Sequence, residues 1–183
     1  ILFREILAAE LPPLQWGSLF RTLRLMELSG EILAGYFFEG IPGAQFISHE
    51  AFRLLKEGLP GDAPCWMNAA DPASLCGVRL EGLKGMLPAR LPASWISFRG
   101  EKPIVIAKCN GKSLEILAPP DAPFLAENLS FLKVMLTRDF NPMRALVVEE
   151  INGARARHSE YASSLLDFGF RKSYKGLELS RRY

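Results

Sequence analysis

Pairs of basic side chains spaced three residues apart are the first feature of this sequence that could do chemistry. Arg21 and Arg24 form one pair, and Arg53 and Lys56 form another. Side chains at positions i and i+3 of a helix point the same way, so each pair could hold neighbouring phosphate groups of a nucleic acid. The alternative is that these charges are simply solvated on a helix surface.

Positive charge is also concentrated near the end of the chain. Residues 153–183 contain seven lysines and arginines against three acidic residues, a local charge of +4 in a chain of net charge +2. The remainder is therefore near −2, and this asymmetry predicts a basic patch whose effect on nucleic-acid affinity weakens with salt. We select Arg171 and Lys172 as the candidate phosphate contacts here. The other lysines and arginines of this stretch are Arg155, Arg157, Lys175, Arg181 and Arg182.

Aromatic side chains add a second kind of candidate contact. Trp16, Trp66 and Trp95 could stack on bases, although packing inside the protein is the alternative for each of them. We retain Trp16 as a candidate nucleic-acid-binding residue.

Residues suited to catalysis are scarce. The sequence has no Gly-x-x-x-x-Gly-Lys-Ser/Thr phosphate loop, so we expect no ATPase activity from this chain. His49 and His158 lack a second ligand at metal spacing, and no metal site is predicted. The three cysteines fit neither a disulfide framework nor a zinc site, so we expect all of them to be packing thiols: Cys65, Cys76 and Cys109.

Asp71 is a weak candidate for a catalytic residue. It stands in Ala69-Ala70-Asp71-Pro72, beside a proline that fixes a turn. An Asx-type turn or a helix N-cap is the plain interpretation of such an aspartate.

The elements that must position these groups follow an α+β pattern. Apolar spacing and turn residues predict, in order, two helices, a two-stranded ribbon and a third helix: Ile1–Glu10, Gln15–Leu28, Ile32–Phe38, Ala44–Ile47, and a helix that begins at Ser48. This is the order of a winged-helix-like unit in which the ribbon is the wing. We expect the aromatic run Tyr36-Phe37-Phe38 to lie in the core.

The remainder of the chain has a different character. Short apolar segments punctuated by glycine and proline, with the clearest hairpin across Asn110-Gly111, predict a small antiparallel β-barrel or curled sheet with flanking helices. A long helix is predicted over Phe124–Arg138. We therefore predict two lobes, a winged-helix-like lobe at residues 1–62 and a β-rich α+β lobe at residues 63–183.

Three stretches of the sequence carry a resemblance to a known family. The first runs from Glu27 through the ribbon to Glu50-Ala51, the second is Asn68–Pro72 with Leu75 and Gly77, and the third runs from Ile151 to Leu179. They resemble, in the same order, the C-terminal region of Lhr-type (large helicase-related) superfamily 2 ATP-dependent DNA helicases.

This resemblance implies that the chain is part of a larger protein. Two RecA-like motor domains would lie upstream, where they would use ATP and Mg²⁺ to move along single-stranded DNA in DNA repair. The region described by this sequence would be accessory, without a cofactor of its own, and would guide the DNA strand. Because no apolar run approaches the roughly 20 residues that span a bilayer, we expect a cytoplasmic location and no membrane contact.

Two alternatives stay open at this point. The Lhr C-terminal region is also similar to winged-helix DNA glycosylases, whose diagnostic pair is Gln-x-Gln or Gln-x-Asp. The only glutamines here are Gln15 and Gln45, so base excision would need another arrangement around Asp71 or Asp167. The second alternative is a structural or protein-interaction module that packs on the helicase core, which predicts an exposed apolar patch.

Overall fold

The structure is a computed structural model that describes residues 1–8, 11–58, 61–78 and 80–181. Contacts between residues divide the chain into two units. The first unit comprises Ile1–Pro60 and Gly77–Gly85, and the second comprises Gly61–Cys76 and Met86–Tyr183. The predicted lobes at residues 1–62 and 63–183 stay a prediction, because a division of contacts does not show that either part folds on its own.

Among its described residues, the first unit contains three α-helices and a two-stranded antiparallel sheet. In chain order these are α1 (Arg4–Leu7), α2 (Trp16–Leu28), β1 (Ile32–Gly35), β2 (Gln45–Ser48) and α3 (His49–Glu57). Ser48 caps α3, since its hydroxyl accepts a hydrogen bond from the backbone N–H of Ala51 at 3.2 Å. The helix predicted over Ile1–Glu10 is shorter than expected, and Glu10 itself lies outside the described residues.

The core of the first unit is small and combines aliphatic and aromatic side chains. Among the described residues, the buried apolar side chains are Phe3, Leu7, Leu23, Phe46 and Ile47. The rings of Trp16 and Phe20 lie against Phe46, with centroids 6.0 Å and 6.2 Å away. Helix α2 is therefore held against the ribbon by tilted and edge-on aromatic contacts.

The first wing strand ends earlier than the sequence predicts. The strand was expected over Ile32–Phe38, but β1 ends at Gly35, which lies opposite Gln45 in the ribbon. Within the run Tyr36-Phe37-Phe38, for which the sequence predicts a core position, Tyr36 is 86% exposed and Phe38 is 44% exposed, so the prediction is wrong for these two residues. A run of apolar residues is compatible with a strand, but also with a loop whose backbone groups bond to a side chain instead of a neighbouring strand. The sequence pattern does not distinguish these two cases.

That partner is the side chain of Gln45, which is fully buried. Its Oε1 accepts hydrogen bonds from the backbone N–H groups of Phe37 and Phe38 at 2.9 Å and 2.8 Å. Its Nε2 donates to the carbonyls of Phe38 and Ile41 at 3.0 Å and 3.2 Å. The amide thus replaces the missing strand ladder and closes the wing loop.

The second unit contains nine strands and three α-helices among its described residues. The strands are β3 (Pro64–Asn68), β4 (Trp95–Arg99), β5 (Lys102–Lys108), β6 (Ser113–Ile116), β7 (Ala145–Val148), β8 (Glu150–Ile151), β9 (Ala154–Arg155), β10 (Arg171–Lys172) and β11 (Leu177–Ser180). The helices are α4 (Leu125–Asn128), α5 (Phe131–Thr137) and α6 (Ala162–Phe168).

These strands form two open sheets. One has the order β3-β4-β5-β6-β8-β9, and the other has the order β10-β11-β7. The predicted hairpin across Asn110-Gly111 is confirmed, with Val105 opposite Ile116 and Ala107 opposite Leu114. The barrel part of the prediction is wrong. Strand β8 joins β6 in parallel, and β8 and β9 have two residues each, so within the described residues the sheet ends at β9 without closing on β3.

One large apolar core lies between the helices and strands of the second unit. It holds 21 buried residues, among them Leu125, Leu129, Leu132 and Leu136, the stripe on which the predicted helix over Phe124–Arg138 rested. That helix is interrupted between α4 and α5. Beside the interruption, the buried Asn128 donates its Nδ2 to the carbonyl of Phe98 at 2.9 Å, which ties α4 to β4.

Other predictions concern thiols and membrane contact. Cys76 is buried, but Cys65 and Cys109 are exposed, so the packing role expected of all three is wrong for two of them. Among the described residues, no helix is both long enough and apolar enough to cross a membrane.

Candidate nucleic-acid interface

The polar face of α2 carries the first candidate pair. Leu23 is the buried residue of this helix, whereas Arg21 and Arg24 are exposed. Arg24 forms an ion pair with Glu27 one turn further along, so part of its charge is already compensated. Arg21 makes no ion pair with any residue that the structure describes, and it is the better available phosphate contact of the two.

Helix α3 carries the second pair on a face that is open to solvent. None of its residues is buried. The Nε atom of Arg53 lies 3.9 Å from Oε1 of Glu57, and both side chains are largely exposed, so this contact is weak. The Nζ atom of Lys56 lies 6.0 Å from the centroid of the Phe52 ring. We call the shallow depression formed here the α3 groove, and it is lined by His49, Phe52, Arg53, Lys56 and Glu57.

Two contacts with residues next to strand β1 hold α3 in place. His49 Nε2 lies 2.8 Å from the carbonyl oxygen of Gly30, at the turn that leads from α2 into β1. The ring of Phe37 meets Phe52 edge-on, with centroids 6.0 Å apart. Arg53 and Lys56 therefore belong to a helix that is held at its first turn and along one side.

Trp16 occupies a packing position rather than an open one. It is half-buried, and its ring lies 5.3 Å from Phe20 in addition to its contact with Phe46. Its packing in this aromatic cluster limits the ring surface that is left for stacking on a base.

Arg171 and Lys172 are exposed and consecutive in the edge strand β10. Successive side chains of a strand point to opposite faces, so these two cations do not form a pair on one surface. Arg171 lies opposite Glu178 on the neighbouring strand, and Lys172 lies opposite Leu177. The structure therefore places on different faces two cations that are neighbours in the sequence.

Other members of the terminal basic cluster are brought together instead. Arg155, Arg157 and Lys175 line one pocket of the second unit. The local excess of charge was visible in the sequence, but the sequence did not show which of the seven cations share a surface. Arg182 lies outside the described residues.

Of the groups that base excision could use, Asp71 and Gln45 are engaged in local structure, and Asp167 is exposed on α6. Asp71 is exposed, and its Oδ1 accepts a hydrogen bond from the backbone N–H of Ala73 at 2.8 Å, an Asx-type turn. Its carbonyl accepts from the backbone N–H of Ser74 and from the guanidinium of Arg90. Gln45 has both polar atoms of its amide occupied in the wing loop.

Comparison with known proteins finds a family match for part of the chain. Residues 1–66 match the family model of the winged-helix domain of the large helicase-related protein. A curated relative is the Lhr helicase/uracil glycosylase of Escherichia coli (strain K12), which is 27% identical over 188 residues. That alignment covers 97% of this chain but only 12% of the relative, so the chain spans a small part of the length of the protein it matches.

Proposed function

We propose, from the premise that residues 1–66 are a winged-helix domain of the Lhr (large helicase-related) type, that this chain is an accessory DNA-binding region of such a helicase. Its work is to hold and guide single-stranded DNA while motor domains elsewhere in the parent protein move the strand. The observation that carries the proposal is the open α3 groove, in which Arg53 and Lys56 face solvent within the matched domain.

The charges of the first unit support this role energetically. Arg21, Arg53 and Lys56 are exposed, and the described residues compensate them weakly or not at all. A phosphate can therefore replace water and counterions around these side chains without first breaking a strong internal ion pair. Release of those counterions makes such binding favourable and dependent on salt.

The wider biological role belongs to the same proposal. The curated relative is named as a helicase, and the alignment with this chain covers 12% of the relative's length. We therefore assign ATP and Mg²⁺ to RecA-like motor domains upstream of this region, and we place the parent protein in the cytoplasm, in DNA repair.

The test is a fluorescence-anisotropy titration of the full chain with a labelled single-stranded oligonucleotide at several salt concentrations. The double variant Arg53→Ala/Lys56→Ala removes two phosphate contacts. We expect weaker binding, and a plot of log affinity against log salt that is shallower by about 1.4, since each single-strand phosphate contact contributes about 0.7.

The matched control removes the same charge elsewhere. Lys84 and Lys102 are exposed and lie outside the α3 groove. We expect Lys84→Ala/Lys102→Ala to retain most of the affinity. An equal loss in the two double variants would mean that only net charge matters, and absence of binding at low salt would exclude DNA binding by this chain.

A second candidate function is supported by exposed apolar side chains on α2. Leu25 and Leu28 are exposed one turn apart, as expected for a surface that packs against another protein region. If this function is the main one, the chain will co-purify with the separately expressed upstream region, and Leu25→Ser/Leu28→Ser will abolish that association without altering DNA binding.

Base excision is the remaining alternative, and the name of the relative includes a uracil glycosylase. We do not propose it for this chain, because Asp71 is committed to an exposed turn and Gln45 to the wing loop. Alkali-dependent cleavage of uracil-containing DNA after incubation with the chain would contradict this assignment.

A further inference from the structure

The second unit has a pocket that is separate from the α3 groove and to which no function has yet been assigned. Its volume is about 430 Å³, and it opens where the turn between β10 and β11 meets the β8–β9 hairpin. We call it the β-turn pocket. Its lining residues are Glu149, Glu150, Arg155, Ala156, Arg157, His158, Tyr174, Lys175 and Gly176.

Close backbone packing fixes the shape of the β-turn pocket. Gly176 is buried, and a Cβ atom at this position would lie 2.0 Å from the carbonyl oxygen of Val148. The turn is closed by Ser173, whose backbone N–H donates to the carbonyl of Gly176 at 2.9 Å. The residues at the tip of the turn, Tyr174 and Lys175, are therefore carried by a rigid hairpin.

The other wall holds two arginines on either side of a buried residue. Ala156 is fully buried, and its backbone N–H donates to the carbonyl of Glu149 at 2.9 Å. Arg155 and Arg157 are both exposed beside it. Anchoring of the intervening alanine fixes the backbone from which both arginines reach the pocket.

The charge of the pocket favours an anion. Among the described residues, none of Arg155, Arg157 and Lys175 forms an ion pair. Two acidic residues, Glu149 and Glu150, also line the pocket, and Lys112 Nζ lies 3.7 Å from the Glu149 carboxylate in an exposed and therefore weak contact. The lining thus carries three cations against two carboxylates, a net charge of +1.

The aromatic side chain of the pocket favours an anion that carries an aromatic base over one that does not. Tyr174 is 97% exposed, so essentially its whole ring is available to a ligand. An aromatic face next to cations suits a nucleotide, whose base stacks while its phosphates are neutralised. A base inside a duplex already has both faces covered by its neighbours, so only an unpaired base can use this ring.

We propose that the β-turn pocket binds one nucleotide of a single-stranded nucleic acid, with its base on Tyr174 and its flanking phosphates held by Arg155, Arg157 and Lys175. This site extends the proposed function, and it rests on that function only in requiring that the chain binds single strands.

The test compares affinity and its salt dependence in the same anisotropy titration, with a labelled oligothymidylate and with a duplex of equal length. Tyr174→Ala removes a ring but no charge. We expect it to lower single-strand affinity about tenfold with an unchanged salt slope, whereas Arg155→Ala/Arg157→Ala makes the slope shallower by about 1.4. Tyr174→Phe keeps the stacking face and is expected to bind like the wild type.

Phe140 provides the matched control, because it is an aromatic residue of the same unit that is 88% exposed and outside the pocket. We expect Phe140→Ala to leave affinity unchanged. Both substituted side chains are in solvent, so the folded state is expected to survive both changes, which circular dichroism checks. Equal effects of Tyr174→Ala and Phe140→Ala, or an unchanged affinity of Tyr174→Ala, would overturn the proposal.

Failure of this site and failure of the α3 groove give different results. Loss of affinity in Arg53→Ala/Lys56→Ala with none in Tyr174→Ala refutes the pocket alone. The reverse pattern supports the pocket and refutes the groove. Displacement of the oligonucleotide by a phosphoserine peptide, with equal strength in wild type and Tyr174→Ala, would show a phosphate site without base stacking and would also refute the pocket as proposed.

Discussion

At the scale of single residues, the most informative side chain is a buried polar one. Gln45 has no exposed surface, yet its amide takes part in four hydrogen bonds to the backbone of the wing loop. Buried polar groups are tolerated when they are hydrogen-bonded. Removal of one partner leaves the remaining buried group without a hydrogen bond, and its desolvation then destabilises the folded state. Gln45 therefore fixes the end of β1 and the path of the residues that follow it.

We predict that Gln45→Leu lowers the free energy of unfolding by about 2 to 4 kcal/mol, because it leaves buried backbone groups without partners. Urea denaturation followed by circular dichroism measures the change. Tyr36→Ala is the control in the same loop, since this exposed side chain contributes within about 0.5 kcal/mol. A Gln45→Leu protein as stable as the wild type would show that the loop satisfies its backbone groups in another way.

At the scale of elements, the hairpin of β10 and β11 shows how a backbone contact positions a surface. Its turn reaches the backbone of β7 only because Gly176 has no side chain at the point of closest approach. The same contact brings Tyr174 and Lys175 to the pocket that Arg155 and Arg157 line. Stability of the second unit and geometry of the β-turn pocket therefore depend on one glycine.

We predict that Gly176→Ala destabilises the chain by about 1 to 3 kcal/mol, because backbone atoms cannot yield to the added methyl group as a flexible side chain would. Thermal unfolding measures this loss. Gly17→Ala is the opposite control, since a Cβ atom there meets nothing within 4 Å and alanine is the better helix former. If Gly176→Ala were as stable as Gly17→Ala, the close approach to Val148 would be incorrect.

At the scale of the whole molecule, the two units differ in how much apolar surface they bury. The second unit has a core cluster of 21 buried residues, whereas the first unit buries Phe3, Leu7, Leu23, Phe46 and Ile47. Burial of apolar surface is the main favourable term in folding, so the larger core is expected to resist opening more strongly.

We predict that hydrogen exchange measured by mass spectrometry will be slowest in the central strands and helices of the second unit, such as β5, α5 and β7. The amides of α2 and the β1–β2 ribbon are expected to exchange faster, through local opening of the first unit. Identical exchange kinetics across both units would instead indicate that the chain opens in one cooperative step.

The sequence by itself determined the α+β class, the order of helix, ribbon and helix, and the hairpin across Asn110-Gly111. Each depends on a local rule: helical spacing of apolar residues, an N-cap such as Ser48, or a turn dipeptide. The resemblance to the Lhr family was also contained in the sequence, and the winged-helix match to residues 1–66 confirms it for that part of the chain. The excess of cations near the end was visible as composition alone.

Only the tertiary structure decided which of these groups share a surface. Gln45 ends β1 through side-chain bonds to residues seven and eight positions away, and the parallel pairing of β6 with β8 leaves the sheet open instead of closing a barrel. Arg171 and Lys172, neighbours in the sequence, point to opposite faces of a strand, whereas Arg155 and Lys175 meet in one pocket. The physical reason is that strand pairing and close backbone contacts join residues far apart in the chain, and local patterns carry no information about such contacts.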